Sequence, residues 1–557
     1  MRAKAIVVLF LAALTGSVFA SNKAISKDPG VTVRTLVKGS PIHGSNGIFI
    51  GPDGNLYVAS VGGHEIVKID PDSGRILDRI GPERGVDSPD DLTFGPDGSL
   101  YWTSIFTGNV GRLFPDGSFD NSIANLGPGV NPITFSPDNE WVFVARDFLD
   151  KGLFKIRPDG SEPTPLLPDL VNFNGFDFGP DGWLYGPLYA TKLIKVNALK
   201  TPPLDPATDV VDAITGIAPS AAKFDSKGRL VTNDLITGRI LRKDLATGEI
   251  EVLATVPFSM DNLAIDARDQ VYVSSDKDGY IAKILPMGNY VLISPGGMIS
   301  PSGVAVLPRP DGGESVYVGD TWSIREFDGR TGEARSVAET SVVAPTLAVY
   351  PMGLTADGSD NLLVASAFGY VVQEYDAVNH VVLQTHADPL FPGVPFMPAN
   401  AVRFNGNIVA TDAVTGLVVQ RFPGGWFPIF ATGGGSMGLA TNGADLWVSN
   451  YSQGIVYSIG SGTPVATGLS GPEGLAYYPP DGSLLVVETN AGRLTKINPA
   501  TGAKTILAEG LEFGFHFLPD GYISSDAFID GVAVGPSGAI YVTGNKADVL
   551  YRIEIHP

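Results

Sequence analysis

One block of about 40 to 50 residues recurs along the whole chain, and a repeat of that length made of four short strands leaves few folds open. The first copy, SNGIFIGPDGNLYVASVGGHEIVKIDPDSGRIL (Ser45 to Leu77), reads as a short apolar strand, a Gly-Pro-Asp-Gly turn and the strand LYVAS. A loop, the strand EIVKID, a second Gly/Pro/Asp turn and a fourth strand complete it. Short apolar runs bounded by Gly, Pro and Asp pair as antiparallel hairpins. The pattern returns from Pro89, Val130, Phe173, Pro219 and Met260 in the first half, giving six copies. Six more start at Pro301, Pro351, Pro398, Ser436, Pro472 and Ile529.

Four strands alone cannot bury both faces of their sheet, so each copy must pack against its neighbours. The spacing predicts an all-β protein of two tandem six-bladed β-propellers, twelve four-stranded blades, over residues 31–293 and 294–557. A single twelve-bladed ring is the alternative, outside the usual range of about 4 to 8 blades. Closing a ring needs a spare strand to cover the last blade's edge. VTVRTLV (Val31 to Val37) is the expected spare strand of the first propeller and NYVLIS (Asn289 to Ser294) that of the second, with Pro295-Gly296-Gly297 at the boundary.

Residues 1–20, a basic Met1-Arg2-Ala3-Lys4 followed by AIVVLFLAALTGSVFA, have the form of a secretory signal peptide, which predicts a secreted or periplasmic protein. That apolar run is shorter than the ~20 residues of a membrane span, and no later segment approaches it. A formal charge of −21 repels phosphate backbones and excludes nucleic acid as an expected partner. The chain has no cysteine, hence no disulfide, thiolate nucleophile or thiolate metal site.

The residue just before each inner strand should sit at one mouth of the central channel. In the first half these are Asn46, Asp90, Asn131, Asn174, Ser220 and Asp261, all oxygen donors of the kind a hard cation such as Ca²⁺ takes. Asn, Asp and Ser also favour loop ends for local hydrogen bonding. The second half offers Ser302, Met352, Asn400, Met437, Glu473 and Asp530. Its two methionines show that loop chemistry does not force polarity there. Loops after the second strands return to the same face and bring His64, Glu65, Ser104, Arg146, Asn233, Asp234 and Asp276 around the mouth, with His43 on the same side. A histidine beside an oxygen ring is a candidate for proton transfer. The aromatic connections Asp388 to Asn400 and Glu509 to Asp530 are expected to rise over the second mouth. Gly434 to Gly438, GGSMG, fits a nucleophile elbow only in a strand-turn-helix setting, and here it leads into a strand.

Copies of the form G-I-x-x-G-P-D-G-N-L-Y-V-A-S followed by I-x-K-I-D, clearest from Gly47 to Asp70, resemble NHL-type repeats and the senescence marker protein/gluconolactonase group of six-bladed propellers, with strictosidine synthase and paraoxonase as relatives. The resemblance implies a central divalent cation held by oxygen ligands, with Asn131 and Asn174 matching the family's Asn ligands and Asp261-Asn262 its Asp-Asn pair. Asn46 stands where the family has a Glu, with Asp90 the nearest acid, and Ser220 interrupts the succession. The implied metal set is Asn46, Asp90, Asn131, Asn174, Asp261 and Asn262, and the implied catalytic residues are Asp261, His43 and His64. Two readings follow. One is a calcium-type, metal-dependent hydrolase of a lactone or related ester. The other is a non-catalytic exported propeller that binds a ligand or a partner protein through its rims.

Overall fold

In a computed structural model, described over residues 24–257, 259–340, 347–387, 389–390, 396–514 and 529–556, the chain is nearly all β. Twelve antiparallel sheets follow the twelve repeats, and the longest α-helical stretch among the described residues is the single turn Pro206–Asp209. The proposed signal peptide and most of the two aromatic connections lie outside the described residues.

Blade 1 shows how the sequence builds the unit. Its strands are Ile48–Ile50, Leu56–Ser60, Glu65–Ile69 and Ile76–Ile80, paired in order. The first turn closes because Gly54 has φ +78° and the Asp53 carboxylate accepts the Asn55 N–H at 3.1 Å. Leu56–Ser60 is buried throughout, whereas Ile76–Ile80 is largely exposed, so burial falls from the second strand to the outer one. The core therefore lies between blades: Tyr57, Ala59 and Ile66 of blade 1 pack on Leu92, Leu100 and Trp102 of blade 2. Side chains buried in this way each contribute about 1.5–3 kcal/mol, the only large stabilising source in a chain without cysteine.

Neighbouring blades are also tied at the channel. A Ser or Thr late in the second strand donates to the ring-position carbonyl of the next blade: Thr103 to Asn131 at 2.5 Å, Ser274 to Asn46 at 2.5 Å, Thr411 to Met437 at 2.7 Å and Ser449 to Glu473 at 2.6 Å. The Ser274 bond joins blade 6 back to blade 1, and Thr543 likewise ties blade 12 to Ser302 of blade 7. Inner strands touch around each set of six, so there are two closed rings and not one of twelve.

The closing strands differ from expectation. Val31–Lys38 pairs with Val549–Ile555 as the outer strand of blade 12, so it closes the C-terminal propeller and not the N-terminal one. Tyr290–Ser294 is the ordinary fourth strand of blade 6. Among the described residues blade 12 has three strands of its own, and the edge of Val549–Ile555 takes up Val31–Lys38, while the preceding short strand Ile25–Ser26 adds to the edge of Lys504–Glu509 in blade 11. The N-terminal ring closes without a borrowed strand. Ala264, Tyr272 and Ile281 of blade 6 pack on Ile48, Leu56 and Val58 of blade 1, and Lys283 pairs with Asp72 at 2.7 Å.

Candidate functional site

The ring positions and the loops after the second strands form the mouths, and the same faces bring the two propellers together. Ser40 N–H meets the Met298 carbonyl at 2.8 Å, and Arg325 reaches Asp278 at 2.5 Å. Phe106, on the loop after the second strand of blade 2, packs against Met352, Ala367 and Met397 of the C-terminal propeller. One methionine of the second ring is thus a contact between propellers, and the other, Met437, packs with Ala399 and Ile529.

Within the N-terminal mouth, acids from three blades crowd one another. Burial pushes the Asp90 carboxyl well above the usual carboxylate range, and Asp147, Asp91 and Asp276 push it further. Asp261 is raised by burial and then by Asp276, Asp90 and Asp91. Asp147 is raised by burial against a hydrogen bond from Asn131, with Asp261 and Asp91 adding to the shift. Asp276, from the loop after the second strand of blade 6, is pushed up to about 6 by burial, with Lys277 opposing. These four acids, from blades 2, 3 and 6, thus influence one another electrostatically.

Most buried acids at the ends of second strands have backbone work. Asp320 accepts the N–H groups of Ile299 and Ser300 at 2.9 and 2.7 Å, Asp412 that of Met397 at 2.7 Å, and Asp234 that of Ala218 at 3.1 Å. Asp147 differs. It is fully buried, its Oδ2 takes only Asn131 Nδ2 at 3.3 Å, and its Oδ1 has no hydrogen-bond partner. A buried carboxyl oxygen without a partner among the described residues is costly, and a cation or a hydrogen-bond donor would relieve it.

The amides of the expected ligand set are partly engaged. Asn46 Oδ1 accepts the Val61 N–H at 3.1 Å, and Asn174 Oδ1 accepts the Gly175 N–H at 2.7 Å. Asn262 Oδ1 accepts the Leu263 N–H at 2.8 Å while its Nδ2 lies 3.4 Å from Asp91 Oδ1, which places it one step down the channel. Ser220 Oγ donates to the Asp261 carbonyl and holds that segment.

Among the described residues, both histidines pair with acids other than Asp90 and Asp261. His43 Nδ1 lies 2.9 Å from the Ile299 carbonyl and 3.0 Å from Asp548 Oδ2, where it ties the two propellers. His64 Nδ1 lies 2.8 Å from Asp87 and 3.0 Å from Ser88 Oγ, at the rim between blades 1 and 2. Both follow the direction of their loops, which sequence spacing does not give.

Sequence reasoning passed over Asp91, Asp147, Asp177, Lys223 and Tyr189. Below the mouth, Asp91 is pushed up to about 6 by burial while Lys223 pulls it down, and Asp177 stands under the same opposed influences. Lys223 and Asp177 line a cavity of about 150 Å³ with Ile48, Phe49, Phe224 and Leu263, between the inner strands of blades 1, 4, 5 and 6. Burial pushes the Tyr189 hydroxyl far up, and the charges of Asp276, Asp261, Asp147 and Asp90 add to the shift. Asp147 lies one residue past Arg146, a position the chain-direction argument reached, and was the most legible of the five.

A divalent cation is implied by the family resemblance. The donor chemistry fits a hard cation: carboxylates, amide oxygens and one bare buried oxygen. Among the described residues, however, no three His, Cys, Asp or Glu side chains are already gathered as a ready ligand group.

No family model matches the chain, and no curated protein matches it. Solved structures similar to it include virginiamycin B lyase from Staphylococcus aureus, 15% identical over 52% of this chain and 95% of that one, with a TM-score of 0.36. A gluconolactonase from Xanthomonas campestris is 15% identical over 44% and 87%, with a TM-score of 0.36. The extracellular domain of a one-component system from B. thetaiotaomicron is 10% identical over 93% and 82%, with a TM-score of 0.32. The propeller architecture rests on this chain's own twelve sheets. No described helix is long and apolar enough to cross a membrane.

Proposed function

We propose that this protein is an exported, cation-dependent hydrolase of a lactone or related ester, with its reaction centre at the N-terminal mouth. The observation that carries the reading is the bare Oδ1 of fully buried Asp147 among acids that repel one another. Asp90, Asp147 and Asp261 would hold the cation, calcium being the expected ion, with Asn131 and Asn174 as neighbouring amide donors. Bound there, such an ion polarises an ester carbonyl and stabilises the charge that develops on its oxygen.

The remaining work falls to the chain. Asp276, on a loop over the mouth, takes the proton of the attacking water as the water oxygen bonds to the carbonyl carbon. The ester C–O bond then breaks and the leaving alkoxide recovers a proton, giving an acid and an alcohol. Tyr189 and the facing C-terminal propeller limit water around the site. His43 and His64 are structural in this scheme, because Asp548 and Asp87 hold them.

Calcium titration by calorimetry, followed by a panel of lactones and aryl esters, tests the reading. The expected result is one calcium site per chain and hydrolysis abolished by chelation. No calcium binding, or hydrolysis unchanged in Asp147→Asn and Asp261→Asn, overturns it.

A further inference from the structure

Below the mouth, toward the turn end of the inner strands, the N-terminal channel holds an ammonium and a carboxylate that are not paired with each other. Asp177 of blade 4 and Lys223 of blade 5 stand at equivalent places, three residues past their ring positions and one before the strands end at Phe178 and Phe224. Contacts fix where the side chains go. Lys223 Nζ lies 3.4 Å from the Phe176 carbonyl of blade 4. Asp177 Oδ1 accepts the Thr134 hydroxyl of blade 3 at 3.4 Å and the Phe178 N–H at 2.8 Å. Each side chain therefore reaches across to the inner strand of the preceding blade.

Lys223 is only 9% exposed, and a lysine is rarely buried so far without a partner. Its ammonium carries three donors, yet among the described residues the one acceptor it meets is that carbonyl, at the long end of hydrogen-bond reach. Asp177 Oδ2 likewise accepts no hydrogen bond among the described residues. Both residues line the cavity of about 150 Å³, whose remaining wall is apolar: Ile48, Phe49, Phe224 and Leu263 face it. A cavity of about that volume holds a molecule of the bulk of benzene.

Charge decides what kind of molecule. A simple anion is repelled by the Asp177 carboxylate and a simple cation by the Lys223 ammonium, and low-dielectric walls strengthen each repulsion. A molecule with both charges a few bonds apart satisfies both groups and leaves its apolar part to the wall.

From this arrangement we infer a small-molecule site in the channel of the N-terminal propeller for a zwitterionic α-amino acid with a short apolar side chain. Its carboxylate meets the Lys223 ammonium, its ammonium meets Asp177 Oδ2, and its side chain lies among Ile48, Phe49 and Leu263. None of these residues is a ligand of the proposed cation, so the site stands whether or not the mouth hydrolyses esters.

Calorimetry on the full chain with L-valine, 3-methylbutanoate and 2-methylpropylammonium, which keep one apolar body and change only the charges, tests it. L-Valine should bind at least about tenfold tighter than either singly charged probe, a margin of about 1.4 kcal/mol. L-Tryptophan, too bulky for the cavity, should not bind. Lys223→Met keeps an apolar stem and should weaken L-valine about tenfold or more; Asp177→Asn should do the same, with circular dichroism reporting that each variant is folded. No binding of L-valine, or equally tight binding of either singly charged probe, overturns the inference and leaves Lys223 as an internal counter-charge. L-Tryptophan binding as tightly as L-valine, or L-valine binding unchanged in folded Lys223→Met, also overturns it. The probe series uses the unaltered protein, so it decides even where a variant fails to fold.

Discussion

In the C-terminal propeller the residues that follow the six ring positions are Gly303, Gly353, Ala401, Gly438, Gly474 and Gly531; in the N-terminal one they are Gly47, Asp91, Pro132, Gly175, Ala221 and Asn262. A Cβ at Gly531 would lie 2.8 Å from the Ser302 carbonyl of the next blade, closer than such atoms approach. Gly47 and Gly175 are at least as crowded in the first ring, so glycine-mediated close approach is common to both propellers; in the second, a cavity of about 20 Å³, the room of one water, lies beside Gly303, Gly474 and Gly531. The N-terminal propeller's cavity of about 150 Å³ is lined instead by Ile48, Phe49, Asp177, Lys223, Phe224 and Leu263. The two propellers thus differ in what lines the space between inner strands: glycine and mostly apolar side chains in the second, a carboxylate and an ammonium among apolar side chains in the first.

Ring closure separates the two most sharply. Deleting residues up to Lys38 should unfold the C-terminal propeller, a loss above about 5 kcal/mol, and leave the N-terminal one folded. Two transitions in calorimetry should become one; loss of the N-terminal transition instead would mean that the borrowed strand supports both rings. Next in size is the tie between them. His43→Ala leaves the nearly buried Asp548 carboxylate without its partner and should cost about 3–5 kcal/mol, read by chemical denaturation. A value near zero would show that the mouths face each other without this pair.

The chemistry of the two mouths is compared by matched neutralisations. Asp147→Asn should lower ester hydrolysis about 100-fold or more, about 2.7 kcal/mol, while Asp530→Asn in the second ring leaves the rate unchanged. Equal losses would place the reaction in a shared space. The second ring has its own pH signature. Asp530 is pushed up to about 7 by burial, against hydrogen bonds from the Asn545 and Gly514 N–H groups. Unfolded, an Asp titrates near about 3.9, so between these values the folded state binds more protons. Stability is then full below about pH 4 and falls as pH rises through about 7, by about 4 kcal/mol in the C-terminal transition. Asp530→Asn should flatten that slope, and a melting series from pH 4 to 8 checks it. The smallest effect is expected from Phe106→Ala, about 1 kcal/mol in denaturant, because Phe106 is only partly buried against Met352 and Met397.

The ring positions were legible because a repeat supplies its own alignment: six copies, three of them with Gly-Pro-Asp-Gly turns, place Asn46, Asp90 and Asp261 in equivalent places whatever the loops do. The tie from Thr103 to Asn131 and its counterparts could have been read from the Ser or Thr that recurs late in five of the second strands, at Thr103, Ser274, Thr411, Ser449 and Thr543. The direction of loop side chains could not. His43 and His64 are near the mouth in sequence but turn to Asp548 and Asp87, and no sequence signal beyond its loop brings Tyr189 under the charges of the acids.

By itself the sequence determined the blades, their number and the oxygen-rich first ring, since period, turn residues and alternation act within some fifty residues of chain. Only the tertiary structure decided which propeller Val31–Lys38 completes, which acid keeps a bare oxygen and which faces meet. These depend on contacts between segments hundreds of residues apart, where geometry and burial, and not local pattern, fix the outcome.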